Sequence, residues 1–305
     1  MNSKIIVVGS MNIDMVVKTS HIPAPGETVL GGSFFMNPGG KGANQAVSVA
    51  RLGGDVTFIG KIGDDIFGKQ SAQLFDDEGV DTDGILSQED SPSGIALITV
   101  DDHGENSIVV APGANAKLLP EDVRQVLDQY PESKILLMQL EIPMQTVDYT
   151  ARLAHKRGMK VILNPAPAHA EITALFDLID IITPNEKEAS MLSGIDVRDI
   201  KSAQRAARRI RELGVKNVII TLGKRGAVLL DDTGFYQVDA PVVETVDSTA
   251  AGDVFNGALA VAVSEGKALI SAVDFACRAA SIAVTRMGAQ SSIPFRNEVF
   301  LDRMS

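Results

Sequence analysis

The sequence predicts an α/β protein, with a central mostly parallel β-sheet flanked by helices and a smaller second sheet beside it. From Lys134 onward, short apolar runs alternate with helical patterns, as in a parallel sheet covered on both faces. The first third instead carries several strand-like runs with no helix between them. Polar residues recur just past the ends of the apolar runs, where an open parallel sheet forms its crevice.

Taken in order, KIIVV and VTFIGKIG read as core strands. MVVKTS, ETVLGGSFF, GIALITV and NSIVV read as short strands of a separate antiparallel sheet. In GIALITV, Ile95 and Leu97 point one way and Ala96, Ile98 and Val100 the other, so both faces are apolar. A projecting sheet of that kind needs two covers, which a ligand and a second subunit would supply. The same pattern also fits a buried strand of the main sheet. KILLMQ precedes a helix after Pro143, KVILN precedes a helix near residues 171 to 177, and IDIIT precedes further helices. In DIKSAQRAARRIRELG, residues Ile200, Ala203, Ala207, Ile210 and Leu213 form an apolar stripe, Gly214 marks the stop, and the basic face reads as solvated surface. NVIITL follows, and a last all-apolar helical region runs from near Gly252 past Ala283.

The 305 residues are 45% hydrophobic and 22% charged, enough for a large core in one unit or two smaller ones. Lys and Arg number 28 against 39 Asp and Glu, and the net charge of -11 argues against nucleic acid or an anionic membrane as main partner. Cys277 is the only cysteine, which excludes an internal disulfide or a zinc ribbon and fits a reducing cytoplasm. No run approaches the roughly 18 apolar residues of a membrane helix, so a soluble protein is expected. Walker A, GxGxxG and GxSxG patterns are absent, and His21, His103, His155 and His169 have no metal-ligand spacing.

Five polar sites follow predicted strands: Asn12 with Asp14, Glu141, Asn164, Asn185, and Thr221 to Gly226. Together they outline a binding cleft, although one such residue alone is commonly a turn or a cap. PGGKGANQAVSVARLG sets three glycines and Lys41 before an amphipathic helix, so backbone can approach a ligand while Lys41 and Asn44 offer hydrogen bonds; a flexible turn is the plainer account. STAAGDVFNGALAVAV puts Ala250, Ala251, Gly252 and Asp253 at a helix start, where small residues leave backbone N–H groups free for an anion. Asp253 is then either a helix-dipole partner or a residue facing the ligand.

With these two motifs the sequence resembles the ribokinase family of sugar kinases, which also holds the B-type phosphofructokinases. The first family signature matches GGKGANQAVSVARLG with Gly63 following, and the second matches DSTAAGDVFNGAL. GSMNID, PGET, MQLE, NPAPA, TPNE, TLGKRG and GAQSSIP extend the likeness over nearly the whole chain. It implies a ribokinase-like fold over residues 1 to 305, with a β-sheet lid inserted from about 14 to 36 and 94 to 111 that also joins two subunits as a homodimer. The implied activity is transfer of the γ-phosphoryl group of ATP to the 5-hydroxyl of D-ribose, with 2-deoxyribose or another sugar or nucleoside as alternative acceptors. Tyr130, Tyr149 and Tyr236 lie outside the lid and speak against a nucleoside, and the intact AAGD turn speaks against a silent sugar sensor.

The resemblance implies that Asn12, Asp14, Gly40, Lys41, Asn44 and Glu141 hold the sugar. Asp253 would be the base, with a pKa lowered by the helix start, and the N–H groups of Ala250, Ala251 and Gly252 the anion hole. Asn185, Thr221, Gly223, Lys224, Gly226 and Gly252 would line the ATP. Cys277 would lie beside the adenine or be a buried structural thiol. Glu188 would serve Mg²⁺ indirectly or be a solvent-facing helix acid. Asp247 and Thr249, with Ala283, Arg286, Gly288 and Ser292, would form a K⁺ site. Ser248 stands where the family usually has Thr, and Val254 where ribokinases often have Thr.

Overall fold

The computed structural model describes residues 3–301. The strands are β1 (Ile5–Val8), β2 (Asn12–Lys18), β3 (Phe34–Gly39), β4 (Val56–Gly63), β5 (Ile85–Gln88), β6 (Gly94–Val100), β7 (Asn106–Ala111), β8 (Ile135–Met138), β9 (Lys160–Leu163), β10 (Ile181–Ile182), β11 (Asn217–Thr221), β12 (Ala227–Asp231) and β13 (Gly234–Val238). The helices are α1 (Lys41–Arg51), α2 (Ile66–Asp77), α3 (Pro120–Leu127), α4 (Met144–Lys156), α5 (Glu186–Ser193), α6 (Ile200–Glu212), α7 (Ala251–Ser264), α8 (Leu269–Ala283) and α9 (Arg296–Leu301). The fold expected for residues 1 to 305 also takes in 1, 2 and 302 to 305, which lie outside the described residues.

The main sheet has the order β13-β12-β11-β10-β9-β8-β1-β4-β5, parallel throughout except for β12 and β13. Its continuous apolar runs follow from burial on both faces. Ile5 and Val7 enter one core with α1, α7 and α8, while Ile6 and Val8 enter a second with α3, α4, α5 and α6. The chain leaves β1 for β4 on one side and later fills β8 on the other, so the order reverses between β1 and β8. That reversal opens a crevice at the carboxyl ends of these two strands. Among the described residues, no helix is long and apolar enough to cross a membrane.

The small sheet has the order β3-β2-β6-β7. GIALITV is one of its inner strands, and its expected antiparallel pairing is corrected in part: β2 and β6 run parallel. The chain between them passes through the main sheet, the kind of crossover that parallel neighbours need. Register places Asn12 and Asp14 on the same face as Ala96, Ile98 and Val110. Phe34, Met36, Met15, Leu97 and Val109 share the opposite face. On that face Phe34 is 59%, Leu97 50% and Val109 64% exposed.

Other expectations also change. ETVLGGSFF contributes only Phe34 and Phe35 to a strand; hydrogen bonding to the end of β2 begins where Gly32 N–H donates to the Lys18 carbonyl and Lys18 N–H to the Ser33 carbonyl, and Leu30 is left in solvent. The helix near 171 to 177 is a run of 3-10 turns, Ala170–Leu178. The last apolar region is two helices, α7 and α8, which pack against each other after a turn at Gly266 with φ +73°. The β12–β13 hairpin escaped the sequence reading although Asp232, Thr233 and Gly234 between apolar runs are turn residues.

Candidate active site

The crevice at the switch point gathers residues from β1, β2, α1, β8 and α7. Helix α1 starts at Gly40, whose φ of +90° and contact with the main chain of Met11 and Asn12 exclude a side chain: a Cβ there would lie 2.8 Å from Asn12 N. Its first-turn donors are taken up within the chain. Lys41 N–H donates to Glu141 Oε2 at 3.0 Å, and Ala43 N–H to the Ser10 carbonyl at 2.9 Å. Ser10 Oγ donates to the same Glu141 oxygen at 2.5 Å, and Lys41 Nζ stands 3.7 Å from Glu141 Oε1. Burial alone would depress the Lys41 ammonium, but the Asp253, Glu141 and Glu188 carboxylates hold it above its ordinary value.

Asn12 and Asp14 do not sit in the loop after β1 but on strand β2 of the small sheet, which carries them over this crevice. Asn12 is buried, and its Oδ1 already accepts from Asn115 Nδ2 at 2.8 Å, so its own amide N–H groups are what remains for a ligand. Burial, with the Glu141 carboxylate adding to it, pushes Asp14 up to about 6.

Asp253 lies in the first turn of α7 and is 6% exposed. Its two oxygens are held by consecutive residues of α1: Oδ2 accepts from Asn44 Nδ2 and Oδ1 from Gln45 Nε2, both at 3.0 Å. The helices come this close because Gly257 lies against Ser48, where a Cβ would be 2.5 Å from the serine Cβ. The expected lowering of the Asp253 pKa is overturned. Burial raises it, outweighing the charge of Lys41 and the Asn44 and Gln45 donors that favour the carboxylate. Asn44 Oδ1 is buried with no partner among the described residues, an acceptor placed for a hydroxyl.

Just before Asp253, Ala250 adopts the left-handed conformation with φ +59°, a strained state worth about 1–3 kcal/mol for a residue with a side chain. It turns the chain so that Ala251 N–H bonds to the Ser248 carbonyl at 3.3 Å. The N–H groups of Gly252 and Asp253 have no acceptor among the described residues. A Cβ on Gly252 would meet nothing within 4 Å.

Asn185 lies three residues past β10 and caps α5 through a reciprocal pair with Glu188: Glu188 N–H donates to Asn185 Oδ1 at 2.9 Å, and Asn185 N–H to Glu188 Oε2 at 2.8 Å. Glu188 is therefore not a solvent-facing acid. It is 8% exposed, and burial raises its pKa. Thr221 bridges Asn185 at the end of β11, and Gly223, Lys224 and Gly226 form the turn that follows. Cys277 sits in the core of α8, where burial pushes the thiol up to about 12. That environment makes it an inert packing residue.

Asp247 ties two loops together. Thr249 N–H and Oγ1 donate to its Oδ1 at 2.9 and 2.7 Å, and Gly288 N–H donates to Oδ2 at 2.9 Å. Burial opposes ionisation, yet these donors hold the carboxyl below its usual range. Ala283 ends α8, its carbonyl accepting from Arg286 N–H, and the Arg286 side chain turns to Glu298. Ser292 is fully buried, with its hydroxyl on the Ala289 carbonyl. Among the described residues, no cluster of three or more His, Cys, Asp or Glu side chains is placed to hold a metal ion.

Residues missed in the sequence are Ser10, Gln45, Asn115 and Gln139. Gln45 follows Asn44 in GGKGANQA and could have been found from that adjacency. Asn115 and Gln139 carry no local signal, because their partners lie 94 to 104 positions away.

An open helix N-terminus beside a buried carboxylate, facing an array of polyol-type donors and acceptors, defines a phosphoryl-transferring sugar kinase. The family model for pfkB family carbohydrate kinases matches residues 2–296, and the chain belongs to that family. It is similar to a protein named ribokinase from Haemophilus influenzae, 45% identical over 98% of this chain and 97% of that one. A protein named deoxyribokinase from Salmonella typhi is 34% identical over 95% of each chain. The solved structure of Arabidopsis thaliana ribokinase complexed with ribose and ATP matches with TM-score 0.91 and 35% identity, covering 99% of this chain and 98% of that one.

Proposed function

We propose that this sugar kinase transfers the γ-phosphoryl group of ATP to O5 of D-ribose, giving D-ribose 5-phosphate and ADP. The observation that carries the reading is the junction of Asn44, Asp253 and the open N–H groups of Gly252 and Asp253 at the switch point. Asn12, Asp14, the Gly40 turn, Lys41, Asn44 and Glu141 hold the sugar hydroxyls. Asp253 accepts the 5-hydroxyl proton as that oxygen bonds to the γ-phosphorus and the bond to the ADP oxygen breaks. A carboxylate made more basic by burial, whose charged form Lys41, Asn44 and Gln45 favour, suits that step. The α7 turn of Ala250, Ala251 and Gly252 stabilises charge on the transferred group.

Asn185, Thr221, Gly223, Lys224, Gly226 and Gly252 line the nucleotide, and Cys277 backs the adenine side as packing. Mg²⁺ carried by ATP would neutralise phosphate charge, with the free Glu188 oxygen available through water. The Asp247 loop, with its ionised carboxylate, the Thr249 hydroxyl and the carbonyls of Ala283, Arg286 and Gly288 near Ser292, has the oxygen donors a K⁺ ion takes. The uncovered apolar face of the lid supports a homodimer, and the single buried thiol supports a cytoplasmic setting.

Ribose is favoured over 2-deoxyribose because the Asn12 N–H groups would lose a partner with the 2-hydroxyl, at a cost of about 1–3 kcal/mol. The test is ADP release from Mg-ATP with D-ribose, 2-deoxyribose, fructose and adenosine, each with K⁺ and with Na⁺ alone. Fastest turnover with ribose, reduced without K⁺, is the expected result. Turnover with another acceptor only would overturn the sugar assignment.

A further inference from the structure

We infer that Gln45 is a positioning residue for the transfer, acting through Asp253 by fixing the plane and orientation of its carboxylate. The inference rests on the reading of Asp253 as base. Gln45 is fully buried, and every polar atom of its amide is engaged. Nε2 donates to Asp253 Oδ1 at 3.0 Å and to Asn164 Oδ1 at 3.1 Å, while Oε1 accepts from Gln139 Nε2 at 2.6 Å. Both Asp253 oxygens accept from amide nitrogens, so the Gln45 nitrogen faces Asp253 and its oxygen faces Gln139. The donors therefore run in one direction, from Gln139 to Gln45 to Asp253. Asn44 takes the other carboxylate oxygen, and two consecutive residues of α1 leave Asp253 a single orientation.

The same layer reaches the anion turn by a second path. Asn164 Nδ2 donates to the Thr183 carbonyl at 3.4 Å, and Thr183 Oγ1 to Asn256 Oδ1 at 2.6 Å. Asn256 Nδ2 then donates to the Gly252 carbonyl at 2.8 Å. The ends of β8, β9 and β10 thus hold both the base and the turn beside it from below. Stability alone does not account for this layer. Apolar side chains would fill the same volume without desolvating the four amides of Gln45, Gln139, Asn164 and Asn256, and Gln139 Oε1 is left buried with no partner among the described residues.

The test uses the full chain with Gln45→Met, which keeps the length but removes the donors, and Gln45→Glu, which keeps the shape and replaces the donor with an acceptor. Expected for both is a fall in kcat of roughly 10- to 100-fold, the scale of a misplaced catalytic group. The KM for ribose should stay within about threefold, since the sugar-binding side chains are untouched. The acid limb of the kcat profile should move to higher pH, with the other charged groups facing Asp253, namely Lys41, Glu141, Asp14 and Glu188, unaltered. Placed in an Asp253→Asn background, Gln45→Met should lower kcat no further. A lowered melting temperature with kcat and acid limb unchanged would overturn the inference, as would losses that multiply in the double variant. Should Gln45→Met fail to fold, the isosteric Gln45→Glu carries the same readouts. Asp253→Asn alone separates the two levels: near-normal turnover there removes the base, and the inference with it.

Discussion

Helices α1 and α7 both begin at the switch-point crevice after a run of small residues, and they treat their first turns in opposite ways. At α1 the chain supplies its own anion: Glu141 accepts from Lys41 N–H and pairs with the Lys41 ammonium. At α7 no acceptor among the described residues meets the N–H groups of Gly252 and Asp253. The same backbone chemistry thus makes two different sites. A terminus already neutralised by a carboxylate suits a neutral polyol, and one left open suits a phosphoryl group. Asp253, within hydrogen-bond reach of Asn44 from α1, stands where the two meet.

The sharpest way to break this comparison is Asp253→Asn, which should keep ribose binding by calorimetry and lower kcat by about 10²- to 10⁴-fold. Gly252→Ala comes next. Its methyl enters open space and alanine favours helix by about 1 kcal/mol, so melting should be unchanged or higher. The methyl would crowd a bound phosphoryl group, however, and kcat should fall by roughly 10- to 100-fold. Gly40→Ala should do the reverse and lower the melting temperature first, because its Cβ meets main chain rather than ligand space. Glu141→Gln removes the anion at α1 and should raise the KM for ribose by about tenfold, the scale of one charged hydrogen bond, with kcat little changed.

Smaller effects fall on the lid. Asp14 is pushed up to about 6 from its ordinary value of 3.8, so between these values the folded chain keeps a proton the unfolded chain has lost. Stability from this group is therefore present at low pH and lost as pH rises through about 6. Asp14→Asn should raise the melting temperature at pH 7.5 more than at pH 5, while weakening ribose binding at the higher pH. An equal shift at both values would show that Asp14 ionises normally. Leu97→Asp on the outward face of the lid should halve the mass seen in sedimentation if the lid joins two copies, and change the stability of the chain by only about 0.5 kcal/mol. An unchanged dimer would place the subunit contact elsewhere.

Much of the architecture was legible because it depends on local pattern. The runs KIIVV, KILLMQ and NVIITL alternate between two cores residue by residue, and the stripe of α6 meets the sheet as its spacing implies. The glycines of GGKG and the small residues of the AAGD turn marked the two helix starts for the same reason, since small side chains are written in the residue types themselves; the positive φ of Ala250 is not, because an alanine is held there only by its surroundings. The features that went unread depend on distant partners. Gln45 meets Asp253 only because α1 and α7 pack together, and β6 runs parallel to β2 only because the chain between them crosses the main sheet; Glu188, by contrast, pairs with Asn185 three residues before it, a local capping pattern.

The sequence by itself therefore determined the layered α/β fold, the position of the anion turn and the family of chemistry. These follow from apolar periodicity and from residues whose backbone freedom is intrinsic. Only the tertiary structure decided which helix start stays open, which residues share each face of the small sheet and what surrounds Asp253. Burial and charge are set by neighbours such as Gln45, which is 208 positions from Asp253 along the chain and 3.0 Å away in space.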